Sequence, residues 1–227
     1  MIRLKYISIY AFALLCSLLP AMQTAAQKRP RVAEPDTTAL FRGLSLSVDL
    51  FGAAQRQLSD YGQYEAALHV NLKDRYFPVL EMGVGDSDHE DDAVTGLSTK
   101  ARAPYGRIGC DFNVMKNKHD DYRIYIGLRY AFTSFKFDVS HPGVTDPVWG
   151  GEATYQVTDE KCSCHWAEGV FAVDAKIYGP VRLGWSVRYR RRIAMSDVST
   201  GDVWYVPGYG RSGKSRLGGT FNLTFEL

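Results

Sequence analysis

Residues 122–132 read YRIYIGLRYAF, and apolar and polar side chains alternate along this stretch. One face would carry Tyr122, Ile124, Ile126, Leu128, Tyr130 and Phe132, and the other Arg123, Gly127, Arg129 and Thr133. A period of two is typical of a β-strand whose two faces meet different surroundings. The stretch therefore predicts a strand. Its parity then shifts to Phe135 and Phe137, which indicates either a β-bulge or an exit from the buried zone.

Seven further segments alternate in the same way and complete a set of eight. They span residues 43–55, 61–73, 77–86, 105–115, 166–178, 181–194 and 216–227. Tight connections at 74–76, 116–121 and 179–180 alternate with long ones at 87–104, 140–165 and 195–215, and 56–60 is a short connection on the long-loop side. This sidedness is typical of outer-membrane barrels with both termini in the periplasm, and an even strand count lets the sheet close. We predict an all-β fold, an eight-stranded antiparallel up-and-down transmembrane β-barrel over residues 42–227.

The polar face decides which side of the barrel meets lipid. It is rich in small residues, as a crowded eight-stranded interior requires, and its basic and acidic residues nearly balance. The alternative is a soluble periplasmic lipocalin-like barrel that binds a ligand, which would point its apolar face inward. We expect a salt-bridged, plugged lumen rather than an ion path. The expected lumen charge network comprises Glu65, Glu81, Arg107, Asp111, Arg123, Arg129, Asp174, Arg182, Arg188 and Glu226.

Aromatic residues lie near the ends of several segments. In a membrane barrel such residues form belts at the two interfaces, although ordinary strand propensity would also place them there. The residues concerned are Tyr64, Phe77, Tyr105, Tyr122, Phe137, Trp166, Tyr178 and Tyr189.

The first 26 residues have the organisation of a secretory signal peptide. Arg3 and Lys5 precede an apolar stretch over 7–19, and small residues follow at 24–26. Residues 27–41 have charges, prolines and no periodicity, so we expect a flexible segment before the barrel. The whole chain has 27 basic and 25 acidic residues, so cleavage after residue 26 would leave a formally neutral protein. We therefore expect an outer-membrane location and no nucleic-acid partner.

Mean hydropathy excludes one class of membrane protein. Its value of −0.22 is too low for several spanning helices, each of which needs about 20 apolar residues. A β-barrel escapes this limit because only every second strand residue faces lipid.

Three arginines near the outer end of the seventh segment are candidates for lipid binding. Guanidinium groups bind phosphate bidentately, so Arg190, Arg191 and Arg192 could contact the phosphates of outer-membrane lipids. The alternative places Arg190 in the lumen network and the other two at a solvated rim. The long loops carry further candidates, since their aromatic residues could bind extracellular or envelope protein partners or fold over the barrel mouth. They are Trp149, Trp204, Tyr205 and Tyr209.

Two polar clusters resemble metal sites, but neither has a complete pattern. The acidic run at 86–92 lacks the spacing and the glycine of an EF-hand, which favours a solvated loop. Cys162, Cys164 and His165 supply at most three zinc ligands, so a redox-sensitive loop tip, or simply a loop, is the preferred interpretation. We expect no metal and no cofactor.

An outer-membrane lipid-modifying enzyme is a further alternative. His69 and Glu65 share the polar face, with Ser45 and Ser47 expected on the neighbouring strand. Only this grouping suggests a catalytic triad, and we expect no enzymatic activity.

Several segments together resemble a family of uncharacterised outer-membrane β-barrel proteins of Bacteroidetes. They read RYFPVLEMG (75–83), APYGRIGCDFN (103–113), YIGLRYAFTSFKFDV (125–139), TDPVWGG (145–151), LGWSVRYRRR (183–192) and WYVPGYG (204–210). The resemblance implies a small eight-stranded barrel in the outer membrane. It implies no activity and no catalytic residues, because the family has none assigned.

Overall fold

A computed structural model describes residues 39–90, 92, 95–145, 150, 152–201 and 203–227. The long strands are β1 (Phe41–Asp49), β2 (Tyr61–Leu72), β3 (Tyr76–His89), β4 (Ser98–Asn113), β5 (Tyr122–Thr145), β6 (Glu152–Tyr178), β7 (Val181–Met195) and β10 (Ser215–Glu226). One helix, α1 (Leu50–Leu58), and a short hairpin of β8 (Tyr205–Val206) and β9 (Gly210–Arg211) complete the described elements. The predicted signal peptide and residues 27–38 of the predicted flexible segment lie outside the described residues.

The eight long strands form one closed antiparallel barrel. Their order is β1-β10-β7-β6-β5-β4-β3-β2, so each strand pairs with its neighbour in sequence apart from the short hairpin. Closure comes from β1, which pairs with β2 on one side and with β10 on the other. The predicted eight-stranded up-and-down barrel is confirmed.

The two rims of the barrel differ as the sequence predicts. Both chain ends of the barrel, Phe41 and Glu226, lie at the rim that has the connections 73–75, 114–121 and 179–180. The other rim carries α1 and the described residues of the connections between β3 and β4, between β5 and β6, and between β7 and β10. The predicted loop at 140–165 is wrong in extent, because β5 and β6 remain paired as far as Thr145 and Glu152. The Cys162–His165 motif therefore lies in β6 and not at a loop tip.

A band of apolar side chains covers the outside of the barrel. On β5 it runs from Tyr122 to Phe132, and on β7 it ends at Tyr189. The same strands turn charged and small residues inward, which is the opposite of the arrangement expected for a lipocalin-like barrel. Exposed members of the band include Met82, Ile108, Ile126, Leu128, Ile177, Trp185, Leu217 and Phe221.

The described helix is too short and too polar to cross a membrane.

The polarity of the two faces reverses beyond Phe132. From there on, Ser134 and Lys136 point outward while Phe135 and Phe137 are buried inside. Pairing continues without a shift through Phe137, so the parity change marks an exit from the band and not a bulge. We call the strand segments beyond this level, together with residues 196–214, the extension. Its apolar core consists of Ala101, Ala103, Tyr105, Ala131, Phe135, Phe137, Val139, Cys162, Cys164, Trp166, Val203, Val206 and Tyr209.

The first strand is shorter than its alternating sequence suggests. The predicted strand over 43–55 is wrong beyond Asp49, where α1 begins. The Asp49 carboxylate caps this helix by accepting a hydrogen bond from the Phe51 backbone N–H at 3.0 Å. The same oxygen accepts from the Phe221 N–H of β10 at 3.2 Å, so this side chain joins the helix to the barrel wall.

The predicted aromatic belts are only half realised. Tyr64, Tyr122, Tyr178 and Tyr189 point outward, whereas Phe77, Tyr105, Phe137 and Trp166 are buried inside. Parity explains the difference, since Tyr105 lies two residues from the inward Arg107 and Trp166 two residues from the inward Glu168.

Candidate functional site: the charged lumen

The charged centre of the lumen is built around Arg107 of β4. Its Nη1 contacts carboxylate oxygens of Glu65 and Glu81, the latter at 3.1 Å, and its Nε lies 3.0 Å from Glu168 Oε1. All four side chains are essentially inaccessible to solvent. The strands β2, β3 and β6 are thus tied to one guanidinium of β4, because inward side chains from several strands meet in the narrow interior of the barrel.

Two further arginines extend this cluster. Arg129 donates to both Asp111 oxygens at 2.9 and 2.8 Å and to Glu81 Oε1 at 2.7 Å. Arg188 donates to Glu81 Oε2 at 2.8 Å and lies 3.2 Å from Glu65. Glu81 therefore contacts three guanidinium groups. With Arg190, whose Nε lies 3.3 Å from Glu168, the cluster has four positive and four negative groups.

A second cluster lies nearer the rim of the chain ends. Arg182 donates to Asp174 at 2.6 Å and lies 3.5 Å from Glu226. Arg123 donates to the same Glu226 carboxylate at 2.7 Å. The ten residues expected in the lumen network thus lie in two groups, six in the first cluster and four in the second.

The rim below this cluster is fastened by Asp74 in the connection between β2 and β3. Its carboxylate accepts from Asn71 Nδ2 at 2.6 Å, and His119 Nδ1 and Arg42 Nε lie 2.7 and 3.2 Å away. Burial alone would raise the pKa of Asp74. The hydrogen bonds from Asn71 and His119 and the nearby guanidinium groups of Arg42 and Arg123 lower it. Their combined effect is larger than that of burial, so the pKa of Asp74 lies below its usual value.

Two aromatic side chains that were expected in the belts at the membrane interfaces belong to the charged lumen instead. The Tyr105 hydroxyl donates to Glu65 Oε2 at 2.6 Å, and Trp166 Nε1 donates to Glu168 Oε1 at 2.6 Å. Both residues share the parity of the inward charges on their strands. Alternation alone would therefore have assigned them to the lumen. It also places Glu168 on the polar face of its segment, although Glu168 is not among the ten residues expected in the network.

The described residues of the segment 196–214 cover the outer mouth of the lumen. The Gly208 carbonyl accepts from Arg107 Nη2 at 2.7 Å, and the Tyr209 carbonyl accepts from Arg190 Nη1 at 2.9 Å. Gly208 has φ +79°, and a Cβ at this position would lie 2.4 Å from the Tyr105 ring, so only glycine fits. Tyr205 and Tyr209 are buried and Trp204 is half-buried. These aromatics fold over the mouth, while Trp149 lies outside the described residues.

A small cavity of about 60 Å³ lies within the lumen between the charged groups. Ser45, Ser47, Glu65 and His69, the grouping considered for catalysis, all line it. His69 Nε2 lies 3.8 Å from Asp111 Oδ2, and Nδ1 has no hydrogen-bond partner among the described residues. Among the described residues, no side-chain hydrogen bond joins His69 to either serine or to Glu65, although Ser45 and His69 are opposite each other in the pairing of β1 with β2. The geometry is that of a polar cavity with room for a few water molecules.

The three arginines considered for lipid binding point in different directions. Arg190 is buried inside, beside Glu168. Arg191 is exposed and lies on the outward row directly beyond Tyr189. Arg192 is half-buried, and its Nη1 donates to Ser212 Oγ and Met195 Sδ, both at 3.2 Å. Only Arg191 faces the outside at the edge of the apolar band.

The acidic run is largely engaged in ion pairs. Asp86 pairs with Arg56 at 3.2 Å and Asp88 with Lys100 at 2.7 Å, while His89 lies between Asp60 and Asp92. Within the described ranges, no three His, Cys, Asp or Glu side chains converge as metal ligands. Asp91 lies outside them.

The cysteines of β6 are free thiols on the inward face of the extension. Burial raises the pKa of Cys162, and it raises that of Cys164 to about 11. Such thiols are poor nucleophiles and poor metal ligands at neutral pH, because both roles require the thiolate.

Comparison with known proteins gives a family and two similar folds. The family described as "Domain of unknown function (DUF6048)" matches residues 5–226, and no curated protein matches the chain. Neisserial surface protein A has 9% identity and a TM-score of 0.44, with 82% of this chain and 99% of that chain covered. Ail, the attachment invasion locus protein of Yersinia pestis, was solved with the heparin analogue sucrose octasulfate. It has 9% identity and a TM-score of 0.39, covering 82% and 98% of the two chains.

Proposed function

We propose, for a chain that belongs to the DUF6048 family of domains of unknown function, an outer-membrane barrel with a closed lumen that acts at the cell surface. The apolar band around a closed barrel carries this proposal. Soluble proteins rarely expose contiguous apolar patches above a few hundred Å², whereas transmembrane barrels present such a band to lipid. The predicted signal peptide over 1–26 would deliver the chain across the inner membrane.

The charge clusters support the proposal of a closed lumen. Arg107, Arg129 and Arg188 cross the interior to carboxylates on other strands, and the turn around Gly208 covers them from outside. The cavity between the charged groups, of about 60 Å³, is far smaller than a solute path. An eight-stranded barrel is filled by its own side chains, which favours a structural lumen over an ion path.

The extension supports a role at the surface. It carries folded strands beyond the apolar band, with polar side chains such as Lys100, Lys136 and Asp159 outside. A stable platform of this kind positions loops for extracellular or envelope protein partners, while the band contacts outer-membrane lipids. No nucleic-acid partner and no catalytic reaction form part of the proposal.

Fractionation tests the membrane location. We expect the expressed protein in the outer-membrane fraction, with different mobility on a denaturing gel before and after boiling. Recovery in the soluble periplasmic fraction without a heat-dependent shift would contradict the proposal.

Planar bilayer recording tests the closed lumen. We expect no stepwise conductance from the purified protein, under conditions in which a porin gives clear steps. Reproducible steps would show an ion path and overturn this part of the proposal.

Epitope insertion tests the orientation. An epitope after Asp197 in the 196–214 segment should bind antibody on intact cells. The same epitope after Lys118, in the connection at the opposite rim, should bind only after permeabilisation. The reverse result would invert the proposed topology.

A further inference from the structure

The barrel wall has a gap above the end of β1. β10 pairs with β1 only over Asn222–Glu226, while its residues 215–221 pair with β7 alone. On the other side, β2 pairs with β1 only as far as Ala66, so residues 61–65 do not pair with β1. An unpaired strand edge facing lipid is costly, so the gap requires α1 or a polar group beside it.

The gap lies at the outer part of the apolar band. Leu217 pairs with Tyr189, the last apolar position of the outward row on β7, and it is 74% exposed. The helix α1 packs against both β2 and β10 and leaves Leu50, Phe51 and Leu58 exposed. An amphipathic helix at this level would rest in the outer leaflet of the proposed membrane.

Behind the gap lies a cavity of about 390 Å³. Phe51 and Gln55 of α1 form one side, and Leu217 and Gly219 of β10 form the other. Its lining includes the buried Arg190, the half-buried Arg216 and the exposed Arg211, and no acidic residue of the described part of the chain lines it. The cavity thus combines apolar residues at its edges with a cationic lining.

The cations beside this cavity are poorly neutralised. Six basic residues lie on the outer ends of β7 and β10 and in the segment between them. Of these, only Arg190 lies within 4.0 Å of a carboxylate among the described residues. The six residues are Arg190, Arg191, Arg192, Arg211, Lys214 and Arg216.

Two of these arginines are held in place by neutral groups. Arg216 donates from Nε to the Arg211 carbonyl at 2.8 Å and from Nη2 to the Ser212 carbonyl at 3.0 Å. The Arg211 guanidinium lies over the Trp204 ring, 5.2 Å from its centroid. Both positions are thus fixed at the cavity wall without loss of positive charge.

We propose that this cavity binds the phosphate-bearing headgroup of an anionic lipid that enters sideways from the outer leaflet. Arg211 and Arg216 bind the phosphate, and the acyl chain leaves between Phe51 and Leu217. The proposal rests on the proposed membrane location. It assigns phosphate binding to the cavity, whereas Arg191, on the outward row beside it, supplies only a nonspecific surface contact.

Lipid titration of the purified protein in detergent, followed by native mass spectrometry, tests the ligand. The probes are dioleoyl phosphatidic acid, dioleoylglycerol and inorganic phosphate. We expect preferential binding of phosphatidic acid. Equal binding of dioleoylglycerol would overturn the role of the anion, and competition by inorganic phosphate at equal affinity would overturn the role of the lipid.

Variants test the site. Arg211→Gln with Arg216→Gln should weaken phosphatidic acid binding about tenfold or more, because charge-assisted hydrogen bonds are lost. The matched control, Arg191→Gln, should change it less than about twofold. Unchanged binding in the double variant, or a larger loss in Arg191→Gln, would overturn the assignment.

Lateral entry has its own variant. Gly219→Trp should narrow the opening and weaken phosphatidic acid binding, while the heat-dependent shift on a gel is retained. If this variant does not fold, Leu217→Trp at the same edge provides the measurement. Unchanged binding in the folded variant would overturn lateral entry. Fractionation reports separately on the membrane location, so failure of that proposal is distinguishable.

Discussion

The band and the extension are built from the same strands with opposite polarity. On β5, Leu128 points outward and Arg129 inward, whereas eight residues further on Lys136 points outward and Phe137 inward. The pairing register is continuous between these positions. What changes is the surroundings, because lipid favours apolar side chains outside and water favours them inside. A strand therefore keeps its period of two across this boundary, while its apolar face changes from the outward to the inward side.

The two interiors are also held together differently. In the band, guanidinium groups and carboxylates cross-link the strands, and each buried charge depends on its partners. In the extension, Phe135, Phe137 and Trp166 pack in an apolar core. Removal of one charged side chain in the band should thus leave an uncompensated charge, whereas truncation of one apolar side chain in the extension should leave a cavity.

The largest effect is expected from Glu81→Ala. This substitution leaves three buried arginines without their shared carboxylate, and it should lower the free energy of unfolding by about 3–5 kcal/mol. The measurement is urea unfolding in detergent micelles. Asp88→Asn, on the same strand in the extension, removes only an exposed pair with Lys100 and should leave the midpoint unchanged. Equal effects of the two substitutions would contradict the proposed difference between the buried charges of the band and the exposed ion pairs of the extension.

Phe137→Ala should damage the extension and spare the band. Truncation of a buried phenylalanine costs about 3–5 kcal/mol through lost contacts and a residual cavity. We expect faster proteolysis near residues 133–166 while the heat-dependent gel shift persists. Loss of the gel shift would indicate that the two regions unfold as one unit.

Arginine substitutions on the outward row of β5 should locate the boundary. Leu128→Arg places a charge among lipid-facing side chains and should cost about 2–4 kcal/mol. Ser134→Arg, six residues further on the same row, should cost close to nothing. The measurement is again urea unfolding in micelles or vesicles. A comparable cost at both positions would move the boundary of the band beyond Ser134.

The smallest effect concerns the thiol of Cys164. Its raised pKa of about 11 means that its thiolate fraction increases with pH up to that value and remains small at pH 8. In a variant with Cys110 and Cys162 replaced by alanine, alkylation should be slow at pH 8 and should accelerate about tenfold per pH unit. Denaturation should restore the ordinary rate of a free cysteine. Rapid alkylation of the folded protein at pH 8 would show that the extension core is open.

Much of the lumen could be predicted because alternation is a local property. Arg107, Glu81 and Asp111 fall on the polar parity of their strands, and their inward direction follows from that alone. Tyr105 and Trp166 follow the same rule, but their aromatic character suggested a belt at the membrane interface. The helix α1 was missed because the predicted strand continued to residue 55. The Asp49 carboxylate caps the helix through a contact that the pattern does not reveal.

The sequence by itself determined the strand count, the closure of the barrel, the sidedness of its connections and the separation of charged from apolar rows. These features depend on side-chain period and on turn length, which short stretches of sequence specify. Only the tertiary structure decided where polarity reverses, that the turn around Gly208 covers Arg107, and that the early end of β1 leaves a cationic cavity beside the band. Each of these features depends on residues that are distant in sequence. Strand register, and not any local pattern, decides which of these residues come into contact.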